Sequence, residues 1–188
     1  MFSDIVKNNI TVANLKQRRM FNALDPFIES NYTRGLYYLI CENVTSSMII
    51  VEVGSFAGVS AQLFATYCQH LYCVDTWDAS VGYTIETITL AEEFFDGRCS
   101  PFENIKKIKL SSEIAARQFE DESIDMVYID ADHKYDSVKN DMLYWYPKVK
   151  MNGYLAGHDY DGGVQLAVDE IKIPDKVYKD MSWIFRKN

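Results

Sequence analysis

Acidic residues stand at the ends of several short apolar runs that have the composition of β-strands. Glu52, Asp75 and Asp130 end three of these runs, and His158-Asp159 follows another. In an open α/β sheet, ligands bind outside the carboxyl ends of the strands. Carboxylates gathered there repel one another unless something offsets their charge. The pattern therefore predicts a site for a cationic ligand or a metal ion.

A glycine-bearing turn follows the first of these runs. Residues 52–60 read EVGSFAGVS, in which Gly54 and Gly58 allow a tight turn and a close approach of the backbone to a ligand. The dinucleotide fingerprint G-x-G-x-x-G fails because position 56 is Phe. Asp75 lies 21 residues beyond Gly54, the spacing at which an acid contacts ribose hydroxyls. Together these residues predict a nucleoside-containing ligand that has no pyrophosphate to bind.

Alternating strand and helix patterns must position these residues. The predicted strands are Met48–Val53, Leu71–Asp75, Ile105–Leu110, Ile124–Asp130 and Gly153–Gly157, followed by a hairpin of Val177–Tyr178 and Met181–Phe185. The predicted helices are Asn22–Asn43, Ser60–Gln69, Thr84–Phe95, Glu113–Phe119, Tyr135–Tyr146 and Gly163–Ile171. The repetition predicts a Rossmann-like, doubly wound α/β fold. Its seven-stranded sheet is mostly parallel and has an antiparallel closing strand.

The bulk properties narrow the class of protein. The 188 residues suit one domain at 21–188, preceded by a polar arm at 1–20. The net charge of −8 disfavours a nucleic-acid partner. No apolar run is long enough to span a membrane, and no signal peptide is recognisable. The four cysteines form no CxxC pair, which is typical of reduced thiols in a cytoplasmic protein.

The chain resembles a known family. VEVGSFAGVS is similar to motif I of class I S-adenosylmethionine-dependent methyltransferases, in the form found in catechol O-methyltransferase-like enzymes. CVDTWD, SIDMVYIDADHKYDSVKNDM and GYLAGHDYDGGVQLAVDEI resemble the other blocks of methyltransferase family 24, which is similar to macrocin-type sugar O-methyltransferases. The resemblance covers residues 30 to 186. It implies methyl transfer from S-adenosylmethionine to a small-molecule acceptor, such as a hydroxyl of a sugar or a natural-product-like metabolite.

The resemblance also implies a set of cofactor-binding residues. The glycine turn would surround the methionine part of the cofactor, Asp75 would hold the ribose, Trp77 would lie along the adenosine and Ser112 would contact the adenine. The full predicted set is Glu52, Gly54, Ser55, Phe56, Gly58, Ser60, Asp75, Trp77, Ser112 and Asp130.

A metal site is implied as well, with one departure from the family pattern. Catechol-type enzymes place an Asp after the fourth strand and an Asp-Asn pair after the fifth, and macrocin-type enzymes have Asp-Asp there. Asp130 and Asp159 match as oxygen ligands for Mg²⁺, whereas a nitrogen ligand at His158 would favour a transition metal. Three interpretations of His158 stay open: a metal ligand, a general base without a metal, or a hydrogen-bonding residue that holds the loop. Asp130, His158 and Asp159 are the predicted metal and catalytic residues.

Neighbouring residues are also open to two interpretations. Asp132 would cap the helix that begins at Tyr135 or contact the acceptor, and His133 is expected at the mouth of the pocket. Residues 76–100 would form a lid over the acceptor or only pack onto the sheet. The aromatic residues concerned are Tyr83, Phe94 and Phe95.

Two other function classes compete with a methyltransferase. A protein that binds S-adenosylmethionine without catalysis would use the same cofactor residues. A nicotinamide-dependent oxidoreductase is disfavoured by the failed glycine fingerprint. Because the chain is short for the family, a second subunit in a homodimer would supply cover for the site.

Overall fold

The computed structural model describes residues 34–78 and 83–188. The predicted arm at residues 1–20 and the first part of the predicted Asn22–Asn43 helix lie outside the described residues. The remainder of that helix is present as α1, Arg34–Asn43.

The described residues form a seven-stranded sheet with the strand order β3-β2-β1-β4-β5-β7-β6. Strands β1 to β5 pair in parallel, and β7 pairs antiparallel with both β5 and β6. The strands are β1 Ile49–Val53, β2 His70–Asp75, β3 Ile105–Lys109, β4 Ile124–Ile129, β5 Val149–Gly157, β6 Lys176–Val177 and β7 Trp183–Arg186. The predicted Rossmann-like fold is confirmed. The strand order reverses between β1 and β4, where open α/β sheets form their binding crevice.

Helices cover both faces of the sheet. After α1 come α2 Val59–Ala65, α3 Ile85–Cys99, α4 Ser112–Ala116, α5 Tyr135–Trp145 and α6 Gly162–Ile171, with a 3₁₀ turn at Tyr146–Lys148. One apolar cluster joins α1, α2 and α3 to one face, and a second joins α4, α5 and α6 to the other. Because both faces are covered, the central strands are apolar at successive positions, as Val127 and Tyr128 illustrate. None of the described helices has the length and apolar character that a membrane span requires.

The fifth strand begins earlier than its sequence pattern predicts. β5 starts at Val149 rather than Gly153, and the register between β4 and β5 shifts between Ile124 and Met126. Asn152 has a positive φ of 65°, which marks an irregularity in the strand. Lys150 and Asn152 interrupt the apolar run, and Met151 and Asn152 are exposed, so the residue pattern predicts only the second half of the strand.

The carboxyl-terminal hairpin closes the fold against α1. The buried Asp180 accepts hydrogen bonds from the backbone amides of Leu36 at 2.8 Å and Ser182 at 3.0 Å. The first of these bonds ties the described beginning of α1 to the hairpin. A residue near the end of the chain therefore holds the beginning of the described part.

Candidate functional site

A cavity of about 750 Å³ opens at the carboxyl ends of β1, β2 and β4. Its walls come from the β1–α2 loop, the end of β2, the beginning of α4, the residues after β4 and one face of α5. It lies at the point where the strand order reverses, which is where the fold predicts a ligand. The predicted cofactor residues in its lining are Gly54, Ser55, Phe56, Ser60, Asp75, Ser112 and Asp130.

The two glycines of the β1–α2 loop serve close approaches within the protein. A Cβ on Gly54 would lie 2.2 Å from the carbonyl oxygen of Asp130, and the residue has a φ of 90°. A Cβ on Gly58 would lie 3.0 Å from Sγ of Cys99 and 3.1 Å from the ring of Phe95. Gly54 therefore lets the loop cross the end of β4. Gly58 lets α2 pack on α3 and does not line the cavity, contrary to its predicted place around the methionine part of a cofactor.

Asp75 holds the same loop from the end of β2. Its Oδ2 accepts the amide of Phe56 and its Oδ1 accepts the amide of Trp77, each at 2.9 Å. Burial raises the pKa of Asp75, and the two amides oppose that rise. Each carboxylate oxygen can accept a further hydrogen bond, and Asp75 lines the cavity. The residue therefore shapes the loop and can also accept hydrogen bonds from a ligand's hydroxyls.

Trp77 does not reach the cavity. Its indole is buried, with its ring centroid 4.9 Å from that of Phe95, and its Nε1 donates to the carbonyl of Phe56 at 2.7 Å. The φ of 45° at Trp77 accompanies this inward placement. The indole thus packs into the core beside α3, and Trp77 is not among the residues that line the cavity where an adenosine was expected beside it.

The predicted lid aromatics divide between the cavity and the core. Tyr83 lines the cavity, and its ring centroid is 5.3 Å from that of Phe56. Phe94 and Phe95 are buried in α3. These two phenylalanines therefore pack in the core, as the second interpretation predicts. Of the three aromatics, Tyr83 is the one that a ligand could contact.

Glu52 lies behind the cavity and is fully buried in β1. Neither of its carboxylate oxygens makes a hydrogen bond of standard geometry to another described residue. Burial raises the pKa of Glu52 to about 7, although the hydroxyls of Ser60 and Ser55 oppose that rise. Glu52 is therefore enclosed in β1 and forms no part of the cavity wall.

Asp130, His133 and Asp159 form a cluster that could hold a metal ion. One donor atom from each lies within 4.8 Å of the other two. His133 Nε2 is 3.1 Å from Oδ2 of Asp159 and 3.7 Å from Oδ1 of Asp130. The predicted set had His158 as its nitrogen ligand, and the structure places His133 in that position. The signal available in the sequence was the three-residue spacing of Asp130 and His133 across the turn after β4.

His158 supports this cluster from the side. Its Nδ1 is 3.1 Å from Oδ2 of Asp159, and its carbonyl accepts Nε1 of Trp183 at 3.1 Å. Burial lowers the pKa of His158, but the hydrogen bond to Asp159 and the charges of Asp130 and Asp159 raise it to about 9. Its Nε2 is buried without a hydrogen-bond partner among the described residues, and His158 is absent from the described cavity wall. This geometry fits the interpretation in which His158 holds the loop.

Asp132 binds the beginning of α5. Its Oδ2 accepts the hydroxyl of Ser137 at 2.8 Å, and its Oδ1 accepts the amide of Lys134 at 3.4 Å. The hydrogen bonds from Ser137 and Lys134 outweigh the effect of burial and lower the pKa of Asp132. Asp132 thus contacts the residue before α5 and the Ser137 side chain but accepts no amide of the helix itself, so it does not cap α5, and it lines the cavity beside His133.

At the opposite end of the cavity, Ser112 connects two residues of α5. Its Oγ accepts Nε1 of Trp145 at 2.9 Å, and its hydroxyl lowers the pKa of Asp141 on the same helix. Burial raises the pKa of Asp141 to about 6. The sequence analysis missed Asp141. The available signal was an acid adjacent to the helix stripe that carries Val138, Met142 and Trp145.

The charged side chains of the cavity wall are predominantly acidic. Its lining contains six carboxylates and, among the described residues, no lysine or arginine. The acids are Asp75, Asp78, Glu113, Asp130, Asp132 and Asp141. Phosphate groups are usually bound by cationic side chains or exposed backbone amides. The wall therefore favours a neutral or cationic ligand over a polyphosphate.

Comparison with known families gives one match that covers more than half of the chain. A family model described as "Methyltransferase domain" matches residues 51–160. That range includes the β1–α2 loop, Asp75, Asp130, His133, and the His158-Asp159 pair. No curated protein sequence matches the chain.

Solved structures share the fold at low sequence identity. The N-methyltransferase NodS from Bradyrhizobium japonicum, in complex with S-adenosyl-L-homocysteine, is 15% identical with a TM-score of 0.61, over 87% of this chain and 89% of that chain. The O-methyltransferase NovP is 16% identical with a TM-score of 0.58, over 84% of this chain and 78% of that one. The YcgJ protein from Bacillus subtilis is 20% identical with a TM-score of 0.51; the match covers 66% of this chain and 49% of that chain. The chain thus spans about half the length of YcgJ. At these identities the likeness shows the fold alone.

Proposed function

Since this chain belongs to the methyltransferase domain family and is a class I S-adenosylmethionine-dependent methyltransferase by family and fold, we propose that it transfers a methyl group from S-adenosylmethionine to a hydroxyl of a small molecule. The observation that carries the proposal is the cavity at the strand-order reversal, where Asp75 and the β1–α2 loop meet. Its acidic wall suits a cofactor that carries a sulfonium and an ammonium group.

The arrangement of the cavity suggests how the cofactor lies. Asp75 would accept the ribose hydroxyls, and the loop from Gly54 to Ser60 would pass beside the methionine part. The adenine would lie toward Ser112, at the α4–α5 end of the cavity. The methyl group would then point toward the cluster of Asp130, His133 and Asp159, because this cluster lies on the other side of the β1–α2 loop.

The proposed step is a direct displacement. The acceptor oxygen attacks the methyl carbon, the new O–C bond forms as the C–S bond breaks, and the bonding electron pair moves to sulfur. The products are the methyl ether and S-adenosylhomocysteine, and the acceptor's proton passes to a base or to solvent. Sulfonium is a good leaving group, so the protein's contribution is mainly orientation of the two reactants and exclusion of water.

The donor set after β4 and β5 fits a divalent cation. Asp130 and Asp159 offer carboxylate oxygens and His133 offers an imidazole nitrogen, all partly exposed to solvent. A mixed nitrogen and oxygen set favours a transition metal over Mg²⁺. Such an ion, when bound, would lower the pKa of the acceptor hydroxyl. His158 would position Asp159 through the contact at Nδ1, as partners of metal ligands commonly do.

The acceptor class rests on two observations. The described cavity wall has six carboxylates and no lysine or arginine, which disfavours phosphorylated acceptors. The family resemblance alone favours transfer to oxygen, because the structural neighbours include both the O-methyltransferase NovP and the N-methyltransferase NodS. We propose a neutral, hydroxyl-bearing acceptor such as a sugar or a natural-product-like metabolite.

The proposal is tested by calorimetric titration followed by a turnover assay. Wild-type protein is titrated with S-adenosylmethionine, S-adenosylhomocysteine and NAD⁺. It is then incubated with methyl-labelled S-adenosylmethionine, Mn²⁺ and a panel of sugars and phenols. Binding of the first two ligands, with label transferred to a hydroxyl, is the expected result. Binding without transfer would favour a non-catalytic cofactor-binding protein, and binding of NAD⁺ alone would overturn the proposal.

A further inference from the structure

A tight turn within the β1–α2 loop borders the cavity. The turn is formed by residues 55–58, in which the carbonyl of Ser55 accepts the amide of Gly58 at 2.8 Å. Phe56, the first of the two central residues, has a positive φ of 41°. Related types of β-turn differ by a rotation of the peptide between the two central residues. The direction of this central peptide therefore decides which of its two polar groups, the carbonyl oxygen or the amide, faces the cavity.

Trp77 fixes the direction of the central peptide. Its Nε1 donates to the carbonyl of Phe56 at 2.7 Å, and its indole is buried against Phe95. In a trans peptide the carbonyl and the following amide point in opposite directions. Because the Phe56 carbonyl is bound in the core, the amide of Ala57 is directed away from Trp77, toward the cavity that Ala57 lines.

Two further contacts hold the peptides on either side of the central one. Oδ2 of Asp75 accepts the amide of Phe56 at 2.9 Å, and Nη1 of the buried Arg98 donates to the carbonyl of Ala57 at 2.6 Å. Side chains outside the loop thus bond three successive peptides. Rotation of the central peptide would separate a buried N–H from its buried acceptor, which is unfavourable.

The proposed cofactor has one anionic group, and the cavity wall offers it few donors. S-adenosylmethionine carries a carboxylate at the end of its methionine part. The described cavity wall has six carboxylates and no lysine or arginine. Backbone amides bind anions in many proteins. In the proposed placement the β1–α2 loop passes beside the methionine part, so an amide that faces the cavity at Ala57 is a suitable donor for this carboxylate.

Building on the proposed function, we infer that Trp77 is a positioning residue, whose indole N–H holds the Phe56–Ala57 peptide so that the amide of Ala57 donates to the cofactor's carboxylate. Trp77 itself does not touch the ligand. Without its N–H the central peptide is free to rotate, and the carbonyl oxygen of Phe56 would then face the carboxylate in place of a donor. The loss is confined to the amino-acid end of the cofactor and spares the adenosine.

The test compares two ligands that share the adenosine and the thioether sulfur. S-adenosylhomocysteine carries the amino-acid part, whereas 5′-methylthioadenosine has a methyl group in its place. Both are titrated calorimetrically into wild type, Trp77→Phe and Trp183→Phe. Trp183→Phe is the matched control, since it also removes a buried indole N–H from a backbone carbonyl, that of His158 at 3.1 Å, and Trp183 does not line the cavity.

In Trp77→Phe, the affinity for S-adenosylhomocysteine is expected to fall about five- to tenfold, and that for 5′-methylthioadenosine is expected to change less than about twofold. Trp183→Phe is expected to change neither affinity by more than about twofold. Equal losses for the two ligands in Trp77→Phe would show that Trp77 only maintains the fold. Unchanged affinities would show that the peptide keeps its direction without Trp77. Either result would overturn the inference.

The wild-type titrations separate failure of the inference from failure of the proposed function. If wild type binds the two ligands equally tightly, the amino-acid end contributes nothing to affinity, and the inference fails while the proposed function stands. If wild type binds neither ligand, the proposed function fails first.

Should Trp77→Phe not fold, benzothienylalanine is introduced at position 77 instead. Its benzothiophene ring has nearly the shape of indole but no N–H group, so the packing against Phe95 is kept and the hydrogen bond to Phe56 is lost. The same selective loss of affinity for S-adenosylhomocysteine is expected. Affinities equal to those of wild type would contradict a role for the indole N–H.

Discussion

The carboxylate of Asp75 accepts a hydrogen bond from the backbone amide of Phe56, with 2.9 Å between Oδ2 and the nitrogen. The bond ties the end of β2 to the loop that follows β1. Phe56 has a positive φ of 41°, which a non-glycine residue adopts only when its surroundings hold it there. The acid proposed to bind the ribose is therefore also a structural support of the loop beside the cofactor.

Replacing Asp75 by Ala is expected to weaken both cofactor binding and the fold. The variant loses the ribose acceptor and leaves the amides of Phe56 and Trp77 without their partner. We expect the affinity for S-adenosylhomocysteine to fall at least about tenfold and the free energy of unfolding to fall by roughly 1–3 kcal/mol. Calorimetry and urea denaturation measure the two effects, with Asp136→Ala as an exposed control. Unchanged affinity in a destabilised Asp75→Ala would show that the acid is structural only.

Replacing Gly54 by Ala is expected to destabilise the protein more than replacing Gly162 by Ala. Both glycines have positive φ values, 90° and 47°, and a side chain in the left-handed region costs roughly 1–2 kcal/mol. A Cβ at Gly54 would also meet the Asp130 carbonyl at 2.2 Å, whereas a Cβ at Gly162 would meet nothing within 4 Å. The clash is expected to add roughly 1–3 kcal/mol to the loss. Equal losses of unfolding free energy in the two variants, measured in urea, would contradict the close approach of the loop to β4.

Glu52 is expected to make stability depend on pH in a defined direction. Burial raises its pKa to about 7 in the folded protein from an ordinary value of 4.5, so the folded state holds this proton more tightly than the unfolded state. The contribution of Glu52 to the free energy of unfolding therefore falls as the pH rises from about 4.5 through about 7.

Glu52→Gln removes that titration. Relative to wild type, its free energy of unfolding is expected to increase from pH 5 to pH 8, by an amount on the order of 3 kcal/mol at most. Denaturation of both proteins at the two pH values gives the difference, and the exposed Glu103→Gln is the control. A difference between wild type and Glu52→Gln that stays constant with pH would show that burial does not raise this pKa.

The proposed cation site predicts an order of effects among three variants. Calorimetric titration with Mn²⁺ or Zn²⁺ is expected to show binding by wild type and little or none by Asp159→Asn. His133→Gln is expected to weaken binding about tenfold or more through loss of a ligand, and His158→Gln is expected to weaken it less because Gln retains a donor toward Asp159. Asp161→Asn, a neighbouring exposed acid, serves as the control. Equal affinity in wild type and Asp159→Asn would exclude a metal held by this cluster.

Several residues of this site could be predicted from the residue pattern alone. Apolar runs that end in Asp75 and Asp130, and a run followed by Asp159, predict strands whose carboxyl ends meet at one edge of a parallel sheet. The strand and helix periods are local properties, so they can be recognised without knowledge of the rest of the fold. Asp75 and Asp130 do line the cavity. Asp159 lies within hydrogen-bonding distance of His133, and His133 also lines the cavity.

Other positions could not be assigned in this way. Trp77 was expected beside the ligand, but its backbone turns the indole into the core beside Phe95. Asp141 was overlooked because an acid next to an apolar helix stripe is usually solvated, and only the approach of Ser112 and Trp145 shows that it is enclosed. In both cases a contact between distant segments decides the environment of the side chain.

The sequence by itself determined the family, the order of strands and helices along the chain, and the gathering of acids at one edge of the sheet. It did so because apolar periodicity and glycine spacing are local and because parallel strands must end at the same edge. Only the tertiary structure decided which histidine stands between Asp130 and Asp159. That choice depends on the direction of the turn after β4 and on the left-handed backbone of Asp159, whose φ is 53°. Single dihedral angles of this kind leave no periodic trace in the sequence, yet they bring His133 to the carboxylates and set His158 beside Asp159, away from the cavity wall.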